Sequence, residues 1–362
     1  MQQDPTRIPV IVGVGEVNDR PASEAEARNS LELMLAALIA ADGDSGGGWL
    51  KRCEHILVVP QLSFSEIDIP QALANAIGLD IAAIRQAEVP SGDTPIRLLN
   101  DAANAVGAGE VIACAIVGAE AMRTALRAGK PLFPNAQKSA SELRRRYGLF
   151  QPSDIYPLYE NASRAAEGQT LAEGQAETGE IWSLMSEVAA QSEGAWLKHP
   201  RTPGEIIEAT ADNRHIAFPY TKLMVANASV NQGAAVIVTS LAAALAAGVP
   251  EERLVYIGAG VAAHEAHEAM ERAEWTTPTG MQVAIEETLA RNGLAGSDLD
   301  HVELYSCFPC VPKMARRCLG WPASAPVTVT GGLTFFGGPA NNYMSHAVAA
   351  MVRHLRTNCD HD

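Results

Sequence analysis

The feature that most constrains the fold is an alternation of apolar runs with segments of helical periodicity. The runs 7–17 (RIPVIVGVGEV) and 111–122 (VIACAIVGAEAM) are continuous and apolar, as buried strands are. The segment 23–44 between them has apolar residues at helical spacing, with Ser23 as N-cap and Glu26 at the capping-box position. This alternation predicts an α/β fold with a mainly parallel sheet covered by helices.

The same order of patterns returns in the last third of the chain. The run 253–265 parallels the first strand, 301–307 (HVELYSC) the second and 326–332 (PVTVTGG) the third. The pattern indicates a duplicated architecture of two α/β halves. The second copy reaches residue 362 without the last strands of the first, so either the chain was cut or another polypeptide completes that sheet.

Residues between the two copies differ in composition. From about 123 to 233 the chain is richer in polar and aromatic residues, with helical patterns around 160–199. We therefore predict an N-terminal half (1–122 plus 234–250), an inserted helical loop domain (123–233) and an incomplete C-terminal half (251–362).

Charge and composition exclude several classes of function. The 362 residues carry a formal net charge of −15, which repels nucleic acid and anionic membranes. The apolar runs are too short to span a membrane, and the first ten residues lack the layout of a signal peptide. Six cysteines without dense spacing indicate reduced thiols, so we expect a cytoplasmic protein.

Three stretches resemble motifs of the thiolase superfamily. The segment 220–240 (YTKLMVANASVNQGAAVIVTS) resembles the approach to the fifth strand of a thiolase's first half. HVELYSCFP (301–309) resembles the "HDCF" motif of sterol-carrier-protein-type thiolases, and GGLTFFGGPANNY (331–343) resembles the loop that supplies a catalytic histidine. The resemblance covers essentially the whole chain and is nearest to acetyl-CoA acetyltransferase-like proteins. It implies a layered αβαβα fold, a coenzyme A thioester as substrate with no bound cofactor, a role in lipid metabolism, and a homodimer.

The family's catalytic residues are replaced at several positions. The turn that opens the third helix would carry the nucleophilic cysteine, but Ser91, Gly92 and Asp93 occupy that region. Tyr305 stands where the motif has a histidine, and Gly338 where the loop has the histidine before proline. The resemblance therefore implies acyl-CoA chemistry without the usual cysteine thioester.

Five side chains are candidates for catalysis: Tyr305, Cys307, Ser91, Tyr343 and His346. A phenol can donate a hydrogen bond to a thioester oxygen, whereas Ser91 would need an adjacent base. Four residues are predicted to bind substrate: Gly332, Gly337, Gly338 and Asn342. Each also has a structural interpretation, as a helix cap, a turn residue, a packed wall or a core side chain. No metal site is predicted, because His264 and His267 lack a third ligand.

Binding of the polyanionic coenzyme A to an acidic protein requires local positive charge. The candidates lie in the predicted loop domain: Arg144–Arg146, Lys198 and Lys222. For the arginine triplet, a solvated helix face is the alternative.

Three functions besides acyl transfer stay open. The first resembles thiolase-like aldolases that lack the cysteine and use tyrosines to cleave a carbon–carbon bond of a CoA thioester. Those aldolases work with a small OB-fold partner. Tyr305 and Tyr343 would supply the tyrosines here. A non-catalytic acyl-CoA-binding subunit is the second. The third is a thiol–disulfide oxidoreductase, because Cys307-Phe308-Pro309-Cys310 follows a strand pattern and opens a helix.

Overall fold

Two compact units make up the chain. The computed structural model describes residues 4–23, 26–131, 140–266 and 268–358. The first unit is formed by the segments Met1–Leu132, Ala228–Gly258 and Gly338–Asp362, and the second by Phe133–Asn227 and Ala259–Gly337.

Strands and helices alternate over the first part of the chain, as predicted. The strands of the described residues are β1 (Pro9–Asn18), β2 (His55–Val58), β3 (Ile84–Gln86), β4 (Ala113–Ala121), β5 (His215–Ala217), β6 (Tyr220–Thr221), β7 (Asn231–Ser240) and β8 (Val255–Tyr256). The α-helices are α1 (Ser30–Asp44), α2 (Ile69–Ile77), α3 (Thr94–Ala108), α4 (Met122–Arg127), α5 (Glu142–Tyr147), α6 (Pro152–Ala166), α7 (Leu171–Gln191), α8 (Pro203–Ile207), α9 (Leu241–Ala246), α10 (Thr279–Asn292), α11 (Cys310–Leu319), α12 (Gly332–Phe335) and α13 (Tyr343–Asn358). In the part of the chain that the structure describes, none of these helices has the length and apolarity to cross a membrane.

The first unit is built on a mixed sheet of six strands in the order β3-β2-β4-β7-β1-β8. Strand β2 runs parallel to β3 and β4, whereas β7 is antiparallel to both β1 and β4, and β8 is antiparallel to β1. The prediction of a mainly parallel sheet is therefore wrong. The direction of β7 relative to β4 does not follow from the sequence, because the connection between them includes the whole segment Phe133–Asn227 of the second unit. A connection of that length can join two strands in either direction.

Both faces of this sheet are buried under helices. On β1, Val10 and Val12 point to the face covered by α1, whereas Ile11 and Val14 belong to the opposite core, to which α3 and α13 contribute. Side chains alternate between the two faces along a strand, and the register irregularity between Ile11 and Gly13 shifts that alternation, so that Val14 shares a face with Ile11. A strand buried on both faces is apolar throughout. The continuous apolar run at the start of the chain is explained by this burial.

Helix α1 begins six residues later than predicted. Its N-cap is Asn29, whose side chain accepts the Glu32 N–H at 3.0 Å, while the Glu32 carboxylate accepts the Asn29 N–H at 2.8 Å. Ser23 with Glu26 has the same spacing, but it lies outside the helix. The capping prediction is therefore wrong in position, because two polar pairs with this spacing precede the same apolar pattern.

The second unit is mainly helical, with β5 and β6 paired as a two-stranded sheet. Helices α6 and α7 confirm the helical pattern predicted around 160–199. Helix α6 packs against α11, α7 packs against α8 and α12, and α10 packs against α11.

The predicted strands at 301–307 and 326–332 lie side by side, although the second segment bends at residues 327, 329 and 330. The Leu304 N–H donates to the Val327 carbonyl at 2.9 Å. The N–H groups of Val329 and Thr330 donate to the Glu303 carboxylate at 2.8 Å and 3.2 Å. Neither segment is a strand of a sheet among the described residues. The reason is that the Glu303 carboxylate accepts the N–H groups of Val329 and Thr330, which in a sheet would donate to the carbonyl groups of a neighbouring strand.

Candidate functional site

The predicted site residues are divided between the two units. Ser91, Gly338, Asn342, Tyr343 and His346 belong to the first unit, and Tyr305, Cys307, Gly332 and Gly337 to the second. Within each unit, part of the set lies close together.

In the second unit, the double glycine is held directly against the motif that contains Cys307. The Leu333 N–H donates to Ser306 Oγ at 3.0 Å. A Cβ at Gly332 would lie 2.7 Å from Met185 Sδ and 2.9 Å from Ser306 Oγ, and its backbone φ is +71°. Glycine is required here for backbone conformation and for close packing.

Cys307 is enclosed by aromatic side chains. Tyr156 of α6 stacks on Phe308, with ring centroids 4.4 Å apart and an interplanar angle of 11°. The Tyr156 hydroxyl is hydrogen-bonded to the Cys307 thiol. Interaction with Cys307, burial and the nearby Tyr305 together hold the pKa of Tyr156 well above its usual range. Sequence patterns do not single out Tyr156, because its role depends on contacts with residues about 150 positions away.

The Cys307 side chain is only 8% exposed. Burial raises the pKa of its thiol to about 12, although hydrogen bonds from Tyr156 and the backbone partly offset that rise. At neutral pH the group is therefore a neutral thiol.

A buried ion pair lies on the far side of Cys310. Lys313 Nζ lies 2.7 Å from Glu160 Oε1 and donates to the Gly174 carbonyl at 2.8 Å, and both charged side chains are 5% exposed. The Tyr220 hydroxyl donates to Glu160 Oε2 at 3.2 Å and contacts Cys310. Burial and the Glu160 charge hold the pKa of Cys310 well above its usual range.

These environments disfavour thiol–disulfide exchange at Cys307 and Cys310. A reactive thiol in a Cys-x-x-Cys motif has a lowered pKa and partial exposure. Here both thiols are buried and both pKa values are raised.

A cavity of about 490 Å³ opens beside this cluster, within the second unit. Its apolar walls include Tyr156, Tyr159, Trp275, Met281 and Met314, and Cys310 also lines it. Cavities of this size accommodate small-molecule ligands.

In the first unit, Asn342 fixes the turn before α13 to the sheet. Its Nδ2 donates to the Gly118 carbonyl of β4 at 2.7 Å, and its Oδ1 is buried with no hydrogen-bond partner among the described residues. A Cβ at Gly118 would lie 2.1 Å from that Oδ1. Asn342 directly precedes α13 but does not act as its N-cap, because a cap would use Oδ1 to accept a helical N–H.

Tyr343 and His346 are completely buried in α13. His346 Nδ1 lies 2.6 Å from Glu16 Oε1 of β1, and Arg353 pairs with the second oxygen of that carboxylate. Burial raises the pKa of Glu16, but His346 and Arg353 outweigh it, so the net pKa is lowered. These contacts tie α13 to the sheet.

Ser91 is a turn residue in front of α3. Its carbonyl accepts the Thr94 N–H at 3.2 Å, and its N–H donates to Thr94 Oγ1 at 3.2 Å. Asp93 holds the N-cap position of α3. Helix α3 contacts the turn Ala340–Asn342 within the first unit.

Gly337 is the last residue of the second unit's segment, and Gly338 is the first residue of the segment that returns to the first unit. Gly337 has a backbone φ of +130°, which side-chain-bearing residues rarely adopt. Ala340, two positions after Gly338, also has a positive φ, of 42°.

The predicted cationic residues are used in different ways. Arg144 donates to the carbonyls of Leu149 (2.9 Å) and Phe150 (3.1 Å) and lies 3.8 Å from Glu268, so its charge supports the chain after α5. The other four are exposed: Arg145, Arg146, Lys198 and Lys222. Among the described residues no cluster could hold a metal ion; His264 is exposed and His267 lies outside the described part.

This architecture is that of the thiolase-like proteins, as comparison with solved structures shows. Human mitochondrial 3-ketoacyl-CoA thiolase in complex with CoA is 15% identical, with a TM-score of 0.69 over 97% of this chain and 92% of that one. The Ltp2–ChsH2(DUF35) aldolase is 19% identical, with a TM-score of 0.77 over 97% of this chain and 93% of that one. At these identities the likeness concerns the fold alone.

A nearer similarity identifies the family. The monomeric SCP2-thiolase-like protein type 1 from Mycobacterium smegmatis is 32% identical, with a TM-score of 0.82 over 99% of this chain and 74% of that one. The chain belongs to the SCP2-thiolase-like family of the thiolase superfamily. Neither a protein-family model nor a curated protein matches it.

Proposed function

We propose that this protein binds coenzyme A thioesters and processes them in a reaction of the acyltransferase class, without a cysteine nucleophile at the start of α3. The observation that carries the proposal is the cluster of Tyr156, Tyr305 and Cys307 beside the cavity of about 490 Å³. The thiolase-like fold supports it, because a protein of that fold is solved in complex with CoA.

The chemistry of the cluster is that of neutral hydrogen-bond donors. Cys307 stays a thiol at pH 7 because its pKa is raised to about 12, so it does not attack the thioester. We propose that Tyr305 donates a hydrogen bond to the thioester carbonyl oxygen, which stabilises the negative charge that develops there. Tyr156 would hold the cluster in place through its stacking on Phe308.

Carbon–carbon cleavage is the second candidate. Two neighbouring phenols and no thiolate favour a retro-aldol step on a 3-hydroxyacyl thioester. A base removes the hydroxyl proton, the Cα–Cβ bond breaks to release a carbonyl compound, and its electron pair forms a thioester enolate. The enolate is then protonated at Cα. A small OB-fold partner belongs to this candidate, since the similar aldolase is a complex with a DUF35 protein.

Calorimetry and turnover assays separate the candidates. Coenzyme A and acetyl-CoA are titrated into the protein, then acetyl-CoA with a second thioester is assayed for transfer and a 3-hydroxyacyl-CoA for carbonyl release. Tyr305→Phe should keep binding and lose turnover, whereas Tyr147→Phe, whose side chain is 62% exposed, should keep both. Binding without turnover would indicate a non-catalytic acyl-CoA-binding subunit, and absence of binding would refute the proposal.

Two further expectations belong to this proposal. A homodimer is expected from the family resemblance, although the similar protein from Mycobacterium smegmatis is described as monomeric. A cytoplasmic location is expected from the cysteine content.

A further inference from the structure

We propose that the first unit has a separate binding site for a small organic anion that carries a compact multiple charge, such as a phosphate monoester or a polycarboxylate. The site is a cavity of about 620 Å³ between the end of α1 and the chain that follows α9. The inference goes beyond the proposed function, because the described residues that line this cavity include none of those predicted to act on the thioester.

The cavity lies on the face of the sheet that α1 covers. Trp49 and Val249 line it, and both belong to the core cluster on that face. Helix α13, which carries two of the predicted catalytic residues, contributes Ala349 and Val352 to the core cluster on the opposite face. The sheet therefore separates this cavity from the predicted site residues of α13.

One side of the cavity is a loop that internal hydrogen bonds hold in place. The Asp42 carboxylate accepts the N–H groups of Gly48 at 3.0 Å and Leu50 at 2.8 Å. Between these two residues, Trp49 anchors the loop in the core and is only 2% exposed. The cavity is therefore formed before any ligand arrives, which lowers the entropic cost of binding.

Arg52 brings a positive charge to this cavity. Its guanidinium carbon lies 4.9 Å from the ring centroid of Trp49, and this cation–π contact orients an otherwise flexible side chain. Arg52 lines the cavity and is exposed, so a ligand can reach it. No carboxylate among the described residues forms an ion pair with it. Its charge is therefore available to a ligand.

A second arginine lines the cavity, and the carboxylate beside it is already neutralised. Asp44 Oδ1 accepts from Arg253 at 3.0 Å, and Asp44 Oδ2 accepts from Arg356 at 2.7 Å and from the Val14 N–H at 2.9 Å. The Arg253 side chain is 45% exposed, so its other N–H groups can reach a ligand. Two arginines and one carboxylate line the cavity, and this local excess of positive charge favours an anion in a chain of net charge −15.

The size of the cavity indicates an organic anion rather than an inorganic ion. A volume of about 620 Å³ is far more than one phosphate ion fills and is within the range of small-molecule sites. Arginine side chains bind the oxygens of phosphate and carboxylate groups, which accounts for the charged part of the ligand. The rest of the ligand would lie against small residues, which include Gly43, Gly46, Ala247, Gly248 and Pro250.

Isothermal titration calorimetry at low ionic strength tests the inference with three probes: glucose 6-phosphate, citrate and uncharged glucose. We expect at least one of the two anions to bind and glucose not to bind. Binding of glucose 6-phosphate alone would identify a phosphate monoester as the preferred class, and binding of citrate alone would identify a polycarboxylate. Added salt should weaken the binding, because the exposed charge of Arg52 is screened.

Two matched pairs of variants locate the binding. Arg52→Gln should weaken it at least about tenfold, because a charge-assisted hydrogen bond is lost. Lys51→Gln removes the same charge from an exposed neighbour that does not line the cavity, and it should leave the affinity unchanged. Ala247→Glu, which places a carboxylate in the cavity, should abolish binding, whereas Ala246→Glu just outside it should not. Circular dichroism melting curves confirm that each variant is folded.

The outcomes also distinguish this inference from the proposed function. Failure of both anions to bind, or equal losses of affinity in Arg52→Gln and Lys51→Gln, would overturn the inference and leave the proposed function untouched. Displacement of the bound anion by coenzyme A would overturn it too, because the cavity would then belong to the thioester site. Binding of the anion by a protein that does not bind coenzyme A would support the inference and refute the proposed function.

Discussion

Cys307 shows how environment decides the chemistry of a residue. A cysteine in a thiolase-like motif suggests a nucleophile or a proton carrier, but only the thiolate is reactive. Here burial raises the pKa of the thiol to about 12, and a phenol occupies its immediate surroundings. The sequence identifies the cysteine, whereas its protonation state depends on side chains that only the fold brings near it.

Alkylation with iodoacetamide at pH 7.5 tests this account of Cys307. We expect Cys307 and Cys310 to remain unlabelled under conditions that modify Cys318, because both are buried and Cys318 is partly exposed. Mass spectrometry of the digested protein gives the extent at each site. Faster modification of Cys307 than of Cys318 would show a reactive thiolate and restore the nucleophile and redox interpretations.

His346 tests whether a predicted catalytic residue has a structural role. It is fully buried and is bonded to Glu16 on β1. We expect His346→Ala to lower the free energy of unfolding by about 2–5 kcal/mol, since it creates a cavity and leaves a buried carboxylate with one partner fewer. Urea denaturation measures the loss, with the exposed His199→Ala as the control. Unchanged stability with lost turnover would instead favour catalysis.

At the scale of elements, the sequence predicts which segments are buried better than how they pair. The apolar runs of the first unit are strands as predicted, because an apolar segment buried on both faces leaves few alternatives. The direction of β7 could not be predicted, since its neighbours are set by a connection through another unit. The runs 301–307 and 326–332 have strand-like composition, yet the Glu303 side chain in the first run accepts the N–H groups of Val329 and Thr330 in the second.

The glycine turn at α12 can be tested by comparing two glycines with similar backbone angles. Gly332 has φ of +71° and close neighbours, whereas Gly320 has φ of +66° and open space where a Cβ would lie. We expect Gly332→Ala to cost about 1–3 kcal/mol more than Gly320→Ala, because both are strained but only one meets Met185 and Ser306. Chemical denaturation of both variants measures the difference. Equal losses would show that the packing of this turn is unimportant.

Strand β4 carries a buried carboxyl group with a distinctive pH dependence. Burial raises the pKa of Glu120 from its ordinary value of 4.5 to about 7, although Leu62 and Ser63 donate hydrogen bonds that lower it. Between these two values the folded state binds more protons than the unfolded state. The contribution of protonated Glu120 to the free energy of unfolding is therefore complete below about pH 4.5 and is lost as the pH rises towards 7.

Removing this titration should flatten the pH profile. We expect the wild-type free energy of unfolding to lose roughly 3 kcal/mol from this group between pH 4.5 and 7, and Glu120→Gln to lack that component. Urea titrations at half-unit intervals of pH give both profiles. Parallel profiles for the two proteins would contradict the assignment to Glu120.

At the scale of the whole molecule, the family could be predicted from the sequence and most of the site environment could not. The motif around Cys307 and the glycine-rich loop each occupy a few consecutive residues, so a linear pattern reveals them. The buried pair Lys313 and Glu160 joins positions 153 residues apart. No local pattern encodes such a contact, and the same is true of the cavity walls.

The central claim is that the segment around Tyr305 and Cys307 receives a coenzyme A thioester. A crystal structure of the protein with a non-hydrolysable acetyl-CoA analogue tests it most directly. We predict that the carbonyl oxygen of the analogue accepts a hydrogen bond from Tyr305. An analogue bound with its carbonyl group out of contact with both Tyr305 and Cys307 would contradict the account.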